Sequence, residues 1–436
     1  VGTDGVSLAE REQPVTARPG HSPGQLAITR LVVTHFRNYA RAALAPDARP
    51  VVLVGENGAG KTNLLEAVSL LAPGRGLRGD RLADISTRAT GRTGVGDSTD
   101  AMEETPTPPP WGVAATVTTP HGPVDLGTGI ARSAEGDKRI VKVNGAAASG
   151  SGALGHYVRA LWLTPPMDRL FMDAATGRRR FLDRMVVGFD AGHAARISAY
   201  ERAMRARTRL LAEGRADASW LAALEAQMAE HGIAIAVARS HVIGELTAAI
   251  ANQAAANQGT SGPLGEAGDV GDAGTAFPRA AIALSSGLTA SVEDKLRTAA
   301  VDAEDAFAAH LAAARPRDAA AGRALEGPHR ADMLVRHAPK NMDARACSTG
   351  EQKALLIGLV LANARAHRAR FGAPPLLLLD EITAHLDAPR RAALFDALIS
   401  LGAQAWMTGT DAGLFDSLSG RAQMFDIAAG MITPRG

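Results

Sequence analysis

Cysteine is all but missing from the 436 residues. Cys347 stands alone, so no internal disulfide can form and a reducing cytoplasm is the expected setting. Aromatic residues make up only 4% of a chain that is 46% hydrophobic, so Ala, Leu, Val and Ile must fill the interior. That composition favours helix-rich α/β packing over a β-sandwich. Neither sign of charge dominates: 47 Lys and Arg against 45 Asp and Glu leave +2, which excludes a polyanion binder driven by basic tails. Any nucleic-acid surface has to be local. No uninterrupted run of about 18 apolar residues occurs, so no membrane span and no membrane partner are expected. The stretch Val1 to Gly24 is polar, carries Pro14, Pro19 and Pro23, and lacks the apolar segment of a signal peptide, so it reads as a disordered tail.

The length predicts two to three folding units at about 150 residues each. Ordered structure is expected from Leu26, where the residues from Ile28 to Tyr39 alternate as a strand does, with a second strand at Pro50 to Val54. From Ser86 to Pro110 the chain is polar and rich in breakers, the signature of a loop or insertion. Strands are expected again at Val113 to Thr118 and Ile140 to Val143, the latter followed by Asn144-Gly145 as a hairpin turn. Helical spacing then takes over. Ile197, Tyr200, Met204 and Leu211 trace one face; after a turn within Glu213 to Asp217, Leu221, Leu224, Met228, Ile235, Val242, Leu246 and Ile250 trace a second, making an antiparallel arm. Glycine occupies every third position from Gly259 to Gly274, too few triplets and too little proline for a collagen helix, so a flexible insertion is expected. An Ala-rich helix spans Val292 to Ala314, and no internal repeat is visible. The resulting division is a tail at 1–25, the N-terminal part of one lobe at 26–150, a helical lobe at 151–324, and the C-terminal part of the first lobe at 325–436.

The chemistry begins at Gly55-Glu56-Asn57-Gly58-Ala59-Gly60-Lys61-Thr62, which fits G-x-x-x-x-G-K-[ST]. It follows the apolar run Val51 to Val54 and precedes a helical pattern, the context a phosphate loop requires. Glycines let successive backbone N–H groups and the helix N-terminus face a phosphate chain. Lys61 would reach the β- and γ-phosphates of ATP, and the Thr62 hydroxyl would bind Mg²⁺. Far downstream, Leu376 to Leu379 ends in Asp380-Glu381. Carboxylates at the tip of a buried strand are costly unless they meet a cation or move a proton. Asp380 is therefore assigned to Mg²⁺ and Glu381 to the base that polarises the attacking water. Between these motifs, Ser348-Thr349-Gly350-Glu351-Gln352-Lys353 opens a helical run with Ser348 as N-cap and a dipole available to an anion. The order of phosphate loop, long excursion, Ser-x-Gly-x-Gln helix, apolar strand with Asp-Glu, then Ala384-His385-Leu386-Asp387 is the layout of an ABC-type ATPase split by a helical insertion.

Shorter blocks narrow this further. Phe36-Arg37-Asn38-Tyr39 precedes the phosphate loop, and Asn63-Leu64-Leu65-Glu66-Ala67 follows it. Downstream come Val143-Asn144-Gly145, Arg178-Arg179-Arg180-Phe181-Leu182-Asp183, the spaced set Arg315, Asp318 and Gly322, and Gly327-Pro328-His329-Arg330-Ala331-Asp332. With these the chain, from about Ile28 to its end less the insertions, resembles the RecF family, bacterial recombination mediators related to SMC proteins. The resemblance implies an α/β fold: an ABC-type ATPase head, a P-loop NTPase, with an inserted helical lobe bearing a short antiparallel coiled-coil arm. It also implies a homodimer formed with ATP, in which Ser348 and Gly350 of one protomer close on the γ-phosphate held by Lys61 of the other. The expected partners are DNA at single-strand gaps, RecO and RecR, and indirectly RecA, with slow, DNA-stimulated ATP hydrolysis. Arg37 and Asn38 are implied as nucleotide contacts, with Asn63 beside the loop, and Asp387 as an acid crossing the dimer interface. Where ABC ATPases often place a switch histidine the chain has Thr408-Gly409-Thr410-Asp411, and γ-phosphate sensing is assigned to Thr410. Pro166 in Thr164-Pro165-Pro166-Met167-Asp168 stands where the family commonly has an acid.

Softer signals are weighed against plain structural roles. Arg196, Arg202, Arg205, Arg207 and Arg209 on the first arm helix could track phosphates or form a solvated face. Arg178 to Arg180 could pin Asp183 or a helix end. His329 has no clustered second ligand, so no metal beyond Mg²⁺ is expected, and Cys347 reads as a small buried side chain. Two other classes, a transporter's nucleotide-binding subunit and an SMC-like tether, fit less well. The first does not need the excursion from Ser151 to Ala324, and the second needs a far longer coiled coil.

Overall fold

A computed structural model describes residues 24–87, 108–133, 136–214, 217–259 and 276–435. The expected tail up to residue 23, most of the Ser86 to Pro110 segment and the glycine triplets from Gly262 onward lie outside the described residues. Alternation of buried Leu31 and Val33 with exposed or half-buried neighbours makes β1 (Ala27–Phe36), which turns through Arg37, at φ 54°, into β2 (Tyr39–Leu44). β3 (Val51–Val54) is buried at every position, as a central parallel strand must be, and the glycine loop after it leads into α1 (Lys61–Ser69). A meander follows: β4 (Gly112–Thr119), β5 (Gly122–Ala131), β6 (Lys138–Val143) and the short β7 (Ala146–Ala147). Asn144 and Gly145 join the last two at φ 48° and 82°, the two positive values that a primed two-residue turn requires.

β8 (Ala160–Leu163) precedes the helical excursion of α2 (Ala175–Phe189), α3 (His193–Glu213) and α4 (Ala218–Gly259). β9 (Ala280–Ser285), α5 (Ala290–Leu296), α6 (Ala300–Ala313) and α7 (Arg315–Ala321) come next, then β10 (Asp332–His337) and β11 (Met342–Asp343). The chain ends with α8 (Thr349–Phe371), β12 (Leu376–Leu379), α9 (Ala388–Leu401), β13 (Ala405–Gly409), β14 (Gln423–Ala428) and β15 (Met431–Arg435).

Three sheets result: antiparallel β2-β1-β4-β5-β6-β7, the small β11-β10-β9, and the six-stranded β15-β14-β3-β13-β12-β8. The last is parallel except for its β15 edge. It draws strands from distant parts of the chain, and β8 joins it although it falls within 151–324 of the sequence division. Strand pleating divides the core. Leu377, Leu379 and Met407 face one cluster shared with α2, α8 and α9, while Leu376, Leu378 and Trp406 face a second that α1 and the antiparallel sheet complete. Buried Gln404 ties the layers together, accepting from the Ile28 N–H (2.8 Å) and donating to the carbonyls of Ile28 (2.9 Å) and Asp47 (2.7 Å).

Several expectations need correction. The Ala-rich helix expected over Val292 to Ala314 is two helices, α5 and α6, because Ala299 adopts an extended conformation at φ −152°. The break lets Val292 and the Phe307 face of α6 enter the same core as Tyr200 of α3 and Met228 of α4. α3 and α4 pair as the expected arm; the second half of α4 packs with α8 and β9, and its first half shares a core with α5 and α6 as well as α3. Scattered polar residues hide the apolar character of α4: an 18-residue stretch within Ala218–Ala256 reaches a mean hydropathy of 1.5, long and apolar enough to cross a bilayer. Its Glu225 and Arg239 are nevertheless buried in ion pairs and its face packs on α3, α6 and α8, the pattern of a core helix.

Candidate nucleotide site

The phosphate loop hangs from β3, which lies between β14 and β13. At Gly55 a side chain is excluded, since a Cβ would fall 2.2 Å from the Ile427 carbonyl oxygen of β14. At Gly60 both space and conformation demand glycine: φ is 115°, and a Cβ would lie 2.6 Å from Asn38 Nδ2 and from the Tyr39 hydroxyl. Lys61 opens α1 and folds its ammonium back, donating to the carbonyls of Gly55 (2.6 Å) and Glu56 (2.8 Å). Burial lowers its pKa, and the negative charges of Glu381 and Asp380 oppose that shift.

Asp380, at the tip of β12 and 8% exposed, is gripped by two hydroxyls. Thr62 Oγ1 donates to its Oδ1 and Oδ2 (2.8 and 3.1 Å), and Thr408 Oγ1, from β13, donates to Oδ1 (2.8 Å). The same Thr408 oxygen accepts the Glu381 N–H at 2.8 Å. Glu381 is a non-glycine residue at φ 49°, a strained conformation of the sort that functional sites retain. Thr62 and Asp380 present the hard oxygen donors that suit Mg²⁺. Among the described residues no cluster of three or more His, Cys, Asp or Glu forms a cage for a metal, so an ion held here would take its remaining ligands from phosphate and water.

Around this centre the implied residues take different places. Asn38 donates to the Ala59 carbonyl (3.0 Å) and accepts from Asn63 Nδ2 (2.7 Å), bracing the loop; Arg78 donates to Asn63 Oδ1 (2.9 Å). Arg37 turns its guanidinium into buried Glu66 (2.6 and 2.8 Å) and Asp80 (2.6 Å). Glu56, Asn57 and Gly58 are exposed, and Ala59 half-buried, on the outer curve of the loop. Ser348 caps α8 in a capping box: its N–H and hydroxyl reach Glu351 Oε2 at 2.9 Å, and the Glu351 N–H returns to the Ser348 hydroxyl at 3.4 Å. Lys340, Ser348 and their hydrogen bonds hold the Glu351 carboxyl at a pKa of about 2. Gly350 is half-buried beside Arg390. Asp387 is exposed and caps α9, accepting from the Arg390 N–H at 2.8 Å.

Lys353, one turn into α8, reaches the Ala384 carbonyl (2.7 Å) and Asp168 (3.3 Å), linking the α8 helix, the segment after Glu381 and the loop after β8. Sequence reasoning passed over this bridge and over Thr408. Thr410 is exposed just past the end of β13, and Thr408, within the strand, is the threonine that touches the acid pair.

The arm arginines divide between core and surface. Arg207 is fully buried and bonds Glu225 (2.9 Å), Asp318 (2.6 Å) and the Leu311 carbonyl (2.6 Å), which removes it from any phosphate-tracking surface. Arg196 pairs with Asp190 and Arg205 with Glu201, leaving Arg202 and Arg209 exposed. Arg178 pairs with Asp332 and Arg315 with Glu225, while Asp183 is held by Arg239 and His193. His329 is a hydrogen-bonded loop residue, 2.8 Å from the Tyr200 hydroxyl, and burial lowers its pKa. Cys347 is buried, and burial raises its thiol pKa.

No protein-family model matches the chain. Among curated proteins it is similar to the DNA replication and repair protein RecF of Rhizobium rhizogenes, 48% identical over 412 residues, 94% of this chain and 99% of that protein. The proteins of the same name from Agrobacterium fabrum (48% over 409 residues) and Mesorhizobium japonicum (49% over 414 residues) are matched over the same shares of both chains. Among solved structures, the recombination mediator protein RecF in its ATPγS-like and ATP complexes superposes at TM-scores of 0.75 and 0.73 with 20% identity, covering 96% and 95% of this chain and 100% and 99% of those chains. That likeness establishes the fold, an ABC-type ATPase head carrying an inserted helical lobe.

Proposed function

Because the chain belongs to the RecF family of DNA replication and repair proteins, we propose that it binds Mg²⁺-ATP between two copies of itself and uses that closure to hold DNA at single-strand gaps. In this reading it acts in the cytoplasm with RecO and RecR to assist RecA, and slow, DNA-stimulated hydrolysis to ADP and phosphate releases the dimer. One observation carries the nucleotide half of the proposal. Thr62, in the first turn of α1, and Asp380, at the tip of β12 and 318 positions away, meet at 2.8 Å, with Lys61 and Glu381 beside them. A hydroxyl, a carboxylate, an ammonium and a second carboxylate are the set that phosphoryl transfer to water uses.

In the roles this assigns, Gly55 to Asn63 cradle the phosphates and Lys61 offsets the charge on the γ-phosphate. Thr62 and Asp380 would hold the Mg²⁺, which would supply positive charge to offset that of the phosphates. Glu381, positioned by its N–H on Thr408, would accept the proton of the attacking water. Asn38 and Arg37 act by bracing the loop and its flank. Exposed Ser348 and Asp387 and half-buried Gly350 are motif residues with room for a second protomer, which supports a shared site. Thr410 would meet the same nucleotide edge. Sedimentation with ATP and a gapped duplex tests this: Glu381→Gln should accumulate as an ATP-dependent dimer on DNA and Lys61→Arg should dimerise poorly. A Glu381→Gln protein as monomeric with ATP as without it would remove Glu381 from the base role.

A further inference from the structure

Away from the nucleotide, a cavity of about 250 Å³ opens where the segment after α1 meets β8 and the α2–α3 corner. None of its lining residues belongs to the phosphate loop, the Asp380-Glu381 pair or the Ser348 helix. Its charge is one-sided: Arg75, Arg159, Arg180 and Arg184 line it, against a single carboxylate, Asp183. That carboxylate is already taken, since Arg239 donates to it at 2.8 and 2.9 Å and His193 lies 2.9 Å away.

Among the described residues, none of the four arginines has an ion-pair partner. Arg184 lies flat on Trp162, 3.9 Å from the ring centroid, and its side-chain hydrogen bond goes to the Met167 sulfur at 3.8 Å. Desolvation with no carboxylate to offset it pulls the Arg184 pKa down to about 9. Arg159 stacks on Phe371 (3.9 Å) and donates to the Gly188 carbonyl (3.2 Å), again without a carboxylate, and desolvation lowers its pKa too. Arg75 and Arg180 are exposed at the rim. A guanidinium withdrawn from water and given no anion is unfavourable, and a phosphate oxygen is the partner whose geometry its fork fits. On the α1 side, Glu66 is engaged by Arg37 and Arg78, and Asp80 by Arg37.

We propose that this Arg75, Arg159, Arg180 and Arg184 cavity is an anion site that takes a phosphate group, either of a nucleic-acid backbone or as free phosphate. Hydrophobic and aromatic walls around the cations fit a single phosphoryl group and contain no element that would read a base. The backbone source rests on the function proposed above; the phosphate chemistry does not.

The test uses the full chain and two arms, duplex oligonucleotide binding by fluorescence anisotropy at several salt concentrations and thermal stabilisation by inorganic phosphate. The variants are Arg180→Ala, an exposed change that leaves packing intact, Arg184→Met, and Arg49→Ala as a remote exposed control. If backbone phosphate is the ligand, Arg180→Ala and Arg184→Met weaken duplex binding and each flattens the log–log salt slope by about 0.9, while Arg49→Ala leaves it unchanged. If free phosphate is the ligand, phosphate raises the Tm of wild type and control but not of Arg180→Ala, and the duplex slope does not move. Either outcome supports the site. Unchanged duplex slopes together with equal phosphate stabilisation of wild type and Arg180→Ala, or with none, would overturn it. Loss of ATP-dependent dimerisation in the wild type would instead count against the function proposed above, whichever arm responds.

Discussion

Thr408 shows how much of the site depends on one hydroxyl. It donates to Asp380 and accepts the backbone N–H of Glu381, so it fixes a prospective metal ligand and a prospective base at once. Thr408→Val keeps the shape and removes both bonds. A hydrogen bond to a charged group contributes about 1.5–3 kcal/mol, so kcat for ATP hydrolysis should fall about tenfold or more with a smaller change in ATP affinity. Thr408→Ser should restore it, and single-turnover kinetics would show an unchanged rate if the hydroxyl were incidental. His367 offers a second test at this scale. Its ring packs tilted against Phe189, 4.0 Å between centroids, its Nδ1 is buried without a partner among the described residues, and burial pulls its pKa down to about 3. The unfolded chain, with a pKa near 6.5, therefore binds a proton that the folded chain refuses between pH 3 and 6.5. Stability is full above pH 6.5 and drains as pH falls below it, by about 2 kcal/mol from pH 7 to 5. Urea unfolding at both values should show His367→Phe losing that share of the acid sensitivity; an identical pH dependence in the variant would contradict it.

Elements differ in how well the sequence announces them. β3 and β12 are legible because four consecutive apolar residues before a glycine loop or an acid pair leave few other arrangements. α3 and α4 are legible through their 3.6-residue periodicity. β5 escaped notice because Gly122, Gly127 and Gly129 dilute its strand pattern; glycine at 129 is needed since a Cβ would lie 2.7 Å from the Trp111 carbonyl. Arg207 on the arm was illegible for another reason. Local sequence cannot tell that Arg207 meets Asp318, 111 residues away, or that Arg315 shares Glu225 with it. The spaced set Arg315, Asp318 and Gly322 thereby acquires a structural meaning: Arg315 and Asp318 clamp α7 onto the arm beside its α3–α4 turn, and Gly322 ends α7 at φ 63°. Arg207→Met would strand buried Asp318 and weaken the hold on Glu225, with an expected loss of about 3 kcal/mol in thermal or urea unfolding. A loss under about 1 kcal/mol would show that the network contributes little.

At the scale of the molecule, the parallel sheet gathers β3, β8, β12, β13 and β14 from across the chain, and the helical excursion between them leaves the strand tips free to build one site. That site holds the phosphate loop and the acid pair, while the Ser348 helix start and Asp387 remain at the surface. The account stands on the claim that each nucleotide is enclosed by two copies, Lys61 from one and Ser348 from the other. The most direct measurement is ATPase complementation between Lys61→Ala and Ser348→Arg proteins, each inactive alone. An equal mixture should recover up to about a quarter of wild-type turnover, since half the dimers are mixed and each mixed dimer has one intact site of two. Wild-type turnover by Ser348→Arg alone, sedimenting as a monomer, would contradict the account.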